Sequence, residues 1–188
     1  MTKEEIIRRL KSGNLNFINN KLSGKNQDSK RRLSQVQGQS PMAVIISCAD
    51  SRVVPELIFD TGIGELFVIR VAGNIANIST IASAEYAVAH LDTKVIIVLS
   101  HESCGAVNAA VGKNTESDNL IHLLKHISPA IKQAEEGDSV NDISKINAVQ
   151  TAKDLSNNSE IINSAVSEKG LEIIPAYYKL ESGEVEFI

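Results

Sequence analysis

Residues 42–47 read MAVIIS, a short and unbroken apolar run rich in β-branched side chains. Such a run is typical of a strand that is buried on both faces of a parallel sheet. Two further runs have the same character, ELFVIRV at 65–71 and KVIIVLS at 94–100, and LEIIPAYY at 171–178 is a weaker fourth. The sequence therefore predicts four strands of one central sheet.

Helical patterns separate the predicted strands. This alternation predicts an α/β fold with a mainly parallel central sheet flanked by helices. The helical segments are predicted at 29–36, 55–59, 79–91, 119–127 and 143–155. The closing KLESGEVEFI has a Ser-Gly turn between two alternating segments, so we expect a C-terminal hairpin or an added edge strand. Loops are predicted at 114–117 and 135–139.

The N-terminal segment reads as an amphipathic helix. Thr2 and Glu5 have the spacing of a capping box, and Gly13 is the predicted end of this helix. We interpret the chain as a single domain, 1–188, in which an N-terminal helical arm (1–41) precedes an α/β core (42–188). No internal repeat or low-complexity tract interrupts it.

Composition narrows the function classes. The chain has 188 residues, of which 43% are hydrophobic and 22% charged, and this composition excludes a disordered or fibrous protein. The net charge is -4, so nucleic acid is not an expected partner. No apolar run approaches the roughly 20 residues of a membrane span, and we expect no membrane partner. We expect a cytoplasmic protein, or a periplasmic one if an export signal has been removed. In the cytoplasm, two cysteines favour metal-binding, catalytic or core thiols over a disulfide.

Both cysteines lie in polar clusters, SCADSR at 47–52 and SHESCG at 100–105. Each cluster begins where an apolar strand is predicted to end. Because ligands bind in the crevice at the carboxyl ends of parallel strands, we expect the two clusters to converge in space.

Converged in this way, the two clusters offer zinc its preferred donors. A lone cysteine is usually a small buried hydrophobe, but Cys48, Cys104 and His101 together form a typical zinc donor set. Asp50 is the candidate fourth ligand. Arg52 is close enough to draw Asp50 into a bidentate ion pair instead, which would leave the fourth position free for solvent. The residues alone leave both arrangements open.

Four motifs together resemble the β-class carbonic anhydrases, in a bacterial branch, over about residues 4–188. They are Cys-x-Asp-Ser-Arg at 48–52, Arg-x-Ala-Gly-Asn at 70–74, Glu-Tyr-Ala-Val at 85–88 and His-x-x-Cys-Gly-Ala-Val at 101–107. The resemblance implies one Zn²⁺ per subunit, reversible hydration of carbon dioxide to bicarbonate by attack of zinc-bound hydroxide, and a homodimer or a dimer of dimers.

The resemblance also implies residue roles. Cys48, His101 and Cys104 match the zinc ligands, and Asp50 with Arg52 matches a dyad in which the Asp either coordinates zinc in a closed form or pairs with the Arg in an open, active form. Two thiolates donate more charge than two imidazoles. We therefore expect the pKa of the zinc-bound water to exceed the value of about 7 known for three-histidine carbonic anhydrases, unless hydrogen bonds to the sulfurs offset this effect.

Substrate contacts are implied for four residues: a hydrogen bond from Gln39, a backbone contact at Gly105, and an apolar pocket with Phe67 and Tyr86 to which a partner subunit contributes. One departure from the family pattern is Ser100, where a Gly commonly precedes the histidine. We expect its β-carbon to shift the His101 turn slightly, which would alter the rate but not the reaction.

Three rival interpretations stay open. In a thiol enzyme, His101 would activate Cys104, which leaves Cys48 and the dyad without a role. In a non-catalytic zinc module or pseudoenzyme, Asp50 would stay on the metal. Nucleotide binding at TGIGELF, 61–67, is weakly supported because the third glycine of the fingerprint is missing. The remaining histidines, His90, His122 and His126, are interpreted as surface residues.

Overall fold

The computed structural model describes residues 1–113 and 116–188. Within them lies a five-stranded sheet of order β2-β1-β3-β4-β5. The strands are β1 (Ala43–Ser47), β2 (Leu66–Arg70), β3 (Val95–His101), β4 (Glu172–Tyr178) and β5 (Val185–Phe187). The first four are parallel, and β5 pairs with β4 in the antiparallel sense. The predicted four-stranded parallel sheet with a C-terminal edge strand is confirmed.

The helices described cover both faces and the carboxyl end of the sheet. They are α1 (Lys3–Ile18), α2 (Ser29–Ser34), α3 (Pro55–Ile58), α4 (Ile78–His90), α5 (Gly105–Val111), α6 (Asp118–Lys125), α7 (Ser128–Gln133), α8 (Val140–Asn157) and α9 (Glu160–Lys169). The structure confirms the predicted helices near 29–36, 55–59, 79–91, 119–127 and 143–155. It adds α5, α7 and α9, which the sequence patterns did not predict.

Central strand β1 is buried on both faces, as its unbroken apolar sequence predicts. Because side chains alternate along a strand, Ile45 packs in one layer with Leu10 of α1 and with Phe59, the residue after α3. Val44 and Ile46 pack in the opposite layer against α4, α8 and α9. A third apolar cluster beyond the carboxyl end of the sheet contains both cysteines.

The predicted end of the first helix at Gly13 is wrong, because α1 continues to Ile18. Gly13 is buried inside the helix, and a Cβ there would overlap the backbone carbonyl of Phe59. This glycine therefore allows α1 to approach the segment after α3. A glycine that ends a helix would instead adopt a left-handed conformation.

The predicted loop at 135–139 is confirmed between α7 and α8. Of the predicted loop at 114–117, residues 114 and 115 lie outside the described residues. Among the helices that the structure describes, none is both long and apolar enough to cross a bilayer.

Candidate metal centre

The topology brings the two cysteine clusters together. Cys48 follows β1 directly, His101 is the last residue of β3, and Cys104 is the N-cap of α5. Since β1 and β3 are neighbouring parallel strands, their carboxyl ends meet at one edge of the sheet. The ligand atoms of Cys48, His101 and Cys104, here called the ligand cluster, lie within 4.8 Å of one another, and all three residues are buried. The predicted convergence is confirmed.

His101 shows that the ligand cluster fits a metal ion. Its Nδ1 is 2.8 Å from the backbone carbonyl oxygen of Glu102. Since a carbonyl only accepts, Nδ1 carries the proton and Nε2 presents a lone pair. Nε2 is buried and has no hydrogen-bond partner among the described residues. A buried polar atom without a partner costs about 1–3 kcal/mol, and a metal ion at this position removes that cost.

The distance between the two sulfurs agrees with zinc. Cys48 Sγ and Cys104 Sγ are 4.0 Å apart. Two thiolates on one tetrahedral Zn²⁺, each at about 2.3 Å, lie about 3.8 Å apart. Two sulfurs and one imidazole nitrogen are the donors that zinc prefers, and the three residues would hold one ion.

The two thiols influence each other's ionisation. The contact with Cys104 lowers the pKa of Cys48, with help from His101, although burial raises it. The same contact and burial raise the pKa of Cys104. The opposite directions of the two shifts are those of two thiols close enough to compete for one proton.

Backbone N–H groups also point at the Cys48 sulfur. Gly73 N and Asp50 N are hydrogen-bonded to Cys48 Sγ at 3.3 and 3.4 Å. Gly73 has a φ of 74°, and a Cβ there would lie 2.9 Å from Ile127 Cδ1, so glycine is required for this approach. Hydrogen bonds of this kind reduce the charge that a thiolate donates to its metal. They act against the high water pKa expected for a two-thiolate site.

Asp50 is held by Arg52 and lies beside the ligand cluster. Arg52 Nε and Nη2 donate to the two carboxylate oxygens at 2.9 and 2.7 Å, and Arg52 N–H donates to Oδ1. These hydrogen bonds hold the pKa of Asp50 well below its usual range. Asp50 Oδ2 is 3.9 Å from His101 Nε2. Of the two arrangements that the sequence left open, the structure shows the ion pair.

Arg70, at the end of β2, is a further part of the site to which the sequence analysis assigned no role. Its guanidinium donates to the carbonyl oxygens of Cys48 and Asp50 at 3.2 and 2.7 Å. Arg70 is the register partner of Ser47, the residue before Cys48. The sequence signal that could have indicated a role for Arg70 is its position as a charged residue at the end of an otherwise apolar strand. Its contacts fix the loop that carries Cys48 and Asp50.

The predicted substrate residues lie on different elements of the fold. Gly105 begins α5 directly after Cys104 and is exposed. Gln39 is exposed in the segment before β1. Phe67 lies in β2 and packs in the layer with α4, and the Tyr86 ring on α4 is 6.2 Å from it and 49% exposed. The structure thus pairs Phe67 with Tyr86, away from the apolar cluster that surrounds both cysteines.

Ser100 keeps its place in the regular strand. It pairs with Tyr177 of β4, and its hydroxyl donates to the Ala176 carbonyl oxygen at 3.1 Å. The ladder continues to His101, so Ser100 occupies a regular strand position directly before the histidine. On the helices, His90 and His122 are exposed and His126 is partly buried; burial, with a contribution from His122, lowers the pKa of His126.

Comparison with known proteins identifies the class that this fold and site define. The sequence profile of the carbonic anhydrase family matches residues 43–185, and the chain belongs to that family. Among its relatives, carbonic anhydrase 2 of Mycobacterium tuberculosis is 33% identical over 180 residues, which cover 93% of this chain and 87% of the relative. The carbonic anhydrase of Mycolicibacterium smegmatis is also 33% identical, over 183 residues that cover 94% and 89% of the two chains.

Solved structures identify the β class. A tetrameric β-carbonic anhydrase from Sordaria macrospora superimposes with a TM-score of 0.76 at 27% identity, covering 84% of this chain and 85% of that one. The β-carbonic anhydrase of Coccomyxa, solved with acetazolamide, gives a TM-score of 0.72 at 26% identity, with coverages of 85% and 78%. The protein is therefore a zinc-dependent β-class carbonic anhydrase, an enzyme that hydrates carbon dioxide.

Proposed function

We propose that this carbonic anhydrase acts in the open arrangement, in which Arg52 holds Asp50 beside the ligand cluster. The observation that carries the proposal is the bidentate Asp50–Arg52 pair, 3.9 Å from the histidine nitrogen that faces the metal position. Zinc held by Cys48, His101 and Cys104 supplies Lewis acidity, which lowers the pKa of water towards neutrality.

The protein's own groups then orient the reacting water. Asp50 stays ionised because Arg52 lowers its pKa, so its carboxylate accepts a hydrogen bond from the water and sets its direction. Arg52 keeps both carboxylate oxygens occupied, which prevents Asp50 from becoming a fourth metal ligand. Arg52 Nη2 also donates to the Ser103 carbonyl oxygen at 3.3 Å and so ties the dyad to the loop between the other two ligands.

Carbon dioxide and bicarbonate are proposed to contact Gly105 in the same chain and Gln39, Phe67 and Tyr86 across a subunit interface. The exposure of Gln39 and Tyr86 supports this assignment, because an exposed side chain is free to complete the site of a neighbouring copy. Phe67 and Tyr86 offer an apolar surface that suits a small nonpolar molecule.

A homodimer, or a dimer of dimers, follows as the proposed assembly. Support comes from large apolar side chains that a single chain leaves exposed, among them Ile78 (84%), Leu33 (70%) and Val36 (69%). The Sordaria macrospora neighbour is described as tetrameric. Sedimentation velocity at micromolar concentration tests this: a dimer or tetramer is expected, and a monomer would contradict it.

A cytoplasmic location is also proposed, because both cysteines are free thiols and a reducing compartment preserves them as zinc ligands. Cell fractionation with compartment markers tests it, and recovery of the enzyme in a periplasmic fraction would overturn it.

A carbon dioxide hydration assay across pH 7 to 9 tests the proposed function. The zinc-loaded enzyme should accelerate hydration, and the chelator-treated protein, its matched control, should not. A zinc-loaded protein without acceleration at any of these pH values would contradict the open arrangement and favour a closed, non-catalytic site. Rapid alkylation of Cys104 in the zinc-loaded protein would instead favour the thiol enzyme.

A further inference from the structure

The long helix α8 carries polar side chains where it passes the metal centre. Ser144 and Asn147 are fully buried, and Asn141 lies one turn earlier, partly buried. Residues three apart are neighbours on a helix surface, so these three side chains, here called the α8 stripe, form a line about 9 Å long. The stripe faces the loops that follow β2 and β3.

Each member of the α8 stripe contacts the backbone of one of these loops. Asn141 Oδ1 accepts from Ser103 N–H at 2.9 Å, and Ser144 Oγ donates to the His101 carbonyl oxygen at 3.0 Å. Asn147 Nδ2 donates to the Gly73 carbonyl oxygen at 2.8 Å, and Gly73 N–H in turn is hydrogen-bonded to Cys48 Sγ.

Two of these backbone positions are conformationally demanding. Ser103, between His101 and Cys104, has a φ of 52°, and Gly73 has a φ of 74°. The left-handed region is unfavourable for a non-glycine residue, and such a residue persists there only when its surroundings hold it. The hydrogen bond that Ser103 N–H donates to Asn141 Oδ1 supports this conformation, in which the chain turns between His101 and Cys104.

Asn147 points to a role beyond stability. Its Oδ1 is buried without a hydrogen-bond partner among the described residues. A buried polar atom without a partner is destabilising, and an apolar side chain at this position would avoid that cost. The amide is better explained by its Nδ2, which holds the Gly73 carbonyl and thereby the N–H that reaches the Cys48 sulfur.

We propose that the α8 stripe is the positioning element of the metal centre: through backbone hydrogen bonds, Asn141, Ser144 and Asn147 fix the directions of the three ligands. The proposal rests on zinc binding by the ligand cluster. Groups that orient metal ligands typically contribute 10- to 100-fold in metal affinity. The stripe acts on loops contributed by two different strands, so α8 couples the ligand geometry to the packing of the helix layer.

The test compares Ser144→Ala, Asn147→Ala and Asn141→Ala with Thr151→Ala, a buried polar-to-alanine change on the same helix beyond the stripe. Zinc affinity is measured by competition with a chelator, stability by urea unfolding, and ligand geometry by the thiolate-to-metal charge-transfer absorption of the cobalt-substituted protein. The stripe variants should lose roughly 10- to 100-fold in zinc affinity and show an altered cobalt spectrum. Thr151→Ala should lose stability only.

Unchanged zinc affinity and cobalt spectra in folded stripe variants would overturn the proposal. An equal loss of zinc in Thr151→Ala would also overturn it, since the effect would then be general destabilisation. If Asn147→Ala does not fold, the smaller change Ser144→Ala and the outer change Asn141→Ala still decide the question. Failure of the parent protein to bind zinc or cobalt would mark a failure of the proposed function instead.

Discussion

Two buried polar regions of this protein differ in whether their polar atoms have hydrogen-bond partners within the protein. At the metal centre, His101 Nε2 has no protein partner among the described residues. Near the N-terminal helix, the arm anchor, formed by Asn14 and Asp60, has partners for its side-chain oxygens and amide. A buried network whose groups pair with one another stabilises the fold, whereas the free lone pair of His101 Nε2 lies beside two sulfurs and is available to a metal ion.

The arm anchor ties three parts of the chain together. Asn14 Nδ2 donates to the carbonyl oxygens of Ile58 and Gly183, and its Oδ1 accepts from Val185 N–H. Asp60 accepts hydrogen bonds from Asn16 and from the backbone and hydroxyl of Ser23. These contacts join α1 to the end of α3 and the segment after it and to the C-terminal hairpin, and they involve none of the metal ligands.

The largest predicted effect is at the metal centre. Cys104→Ser removes one thiolate, so we expect loss of bound zinc, hydration activity at background, and reduced stability because metal binding is coupled to folding. Zinc content by elemental analysis and thermal unfolding measure it. Val107→Ala, a buried neighbour in α5, is the control and should keep its zinc. If Cys104→Ser retained stoichiometric zinc, the metal centre could no longer be distinguished from the arm anchor by its role in zinc binding.

The dyad should show a large effect on rate without an effect on metal content. Arg52→Ala frees the Asp50 carboxylate to approach the metal, and we expect activity to fall by roughly 100-fold or more, a scale typical of lost electrostatic groups. Zinc content is measured beside the hydration rate, and Arg8→Ala, an exposed arginine on α1, serves as the control. Full turnover in Arg52→Ala would refute the gating role.

The arm anchor should respond in the opposite way. Asn14→Ala leaves the buried carbonyl of Gly183 and the N–H of Val185 without partners, and we expect a loss of about 2–4 kcal/mol in the free energy of unfolding. Zinc affinity should change little. Urea unfolding and chelator competition measure the two quantities, with Asn157→Ala, an exposed asparagine on α8, as the control. A loss of zinc affinity without a loss of stability would reverse the assignment of the two regions.

The smallest effect is a pH dependence at Asp60. Burial raises the pKa of its carboxyl, but hydrogen bonds from Asn16 and Ser23 outweigh it, so the pKa is lowered overall. A lowered pKa stabilises the fold above the unfolded value of about 3.9, and this stability is lost as the pH falls through the folded value. Asp60→Asn should therefore cost about 1 kcal/mol at pH 7 and progressively less below pH 4.

Urea unfolding of both proteins at matched pH measures this difference, because any release of zinc in acid then affects both alike. A cost that stays constant from pH 7 to pH 3 would show that the Asp60 charge contributes nothing.

Much of this structure was predictable because the decisive signals are local. The apolar runs that became β1 and β3, and the polar residues directly after them, were sufficient to predict the sheet and the meeting of Cys48 with His101. The helix α9 was missed although Ser159 caps its start and Gly170, in a left-handed conformation, ends it. Both capping residues are signals that the sequence itself carries.

The remaining features depend on contacts between distant segments. Gly13 reads as the end of a helix until Phe59 is placed against it. Whether Asp50 binds zinc or Arg52 depends on a displacement of its carboxylate by a few ångströms, which the spacing of residues along the sequence does not determine. Asn147 in α8 donates a hydrogen bond to Gly73, 74 residues away. The hydrogen-bond partner of a single polar residue in a helix cannot be predicted from the sequence.

Zinc K-edge X-ray absorption on the purified enzyme tests the central claim most directly. The account predicts one zinc per chain with two sulfurs at about 2.3 Å, one imidazole nitrogen at about 2.0–2.1 Å and one further light atom. In Cys104→Ser the zinc absorption edge should be absent, because the variant loses its metal. A protein that takes up no zinc, or a zinc shell without sulfur, would contradict the account.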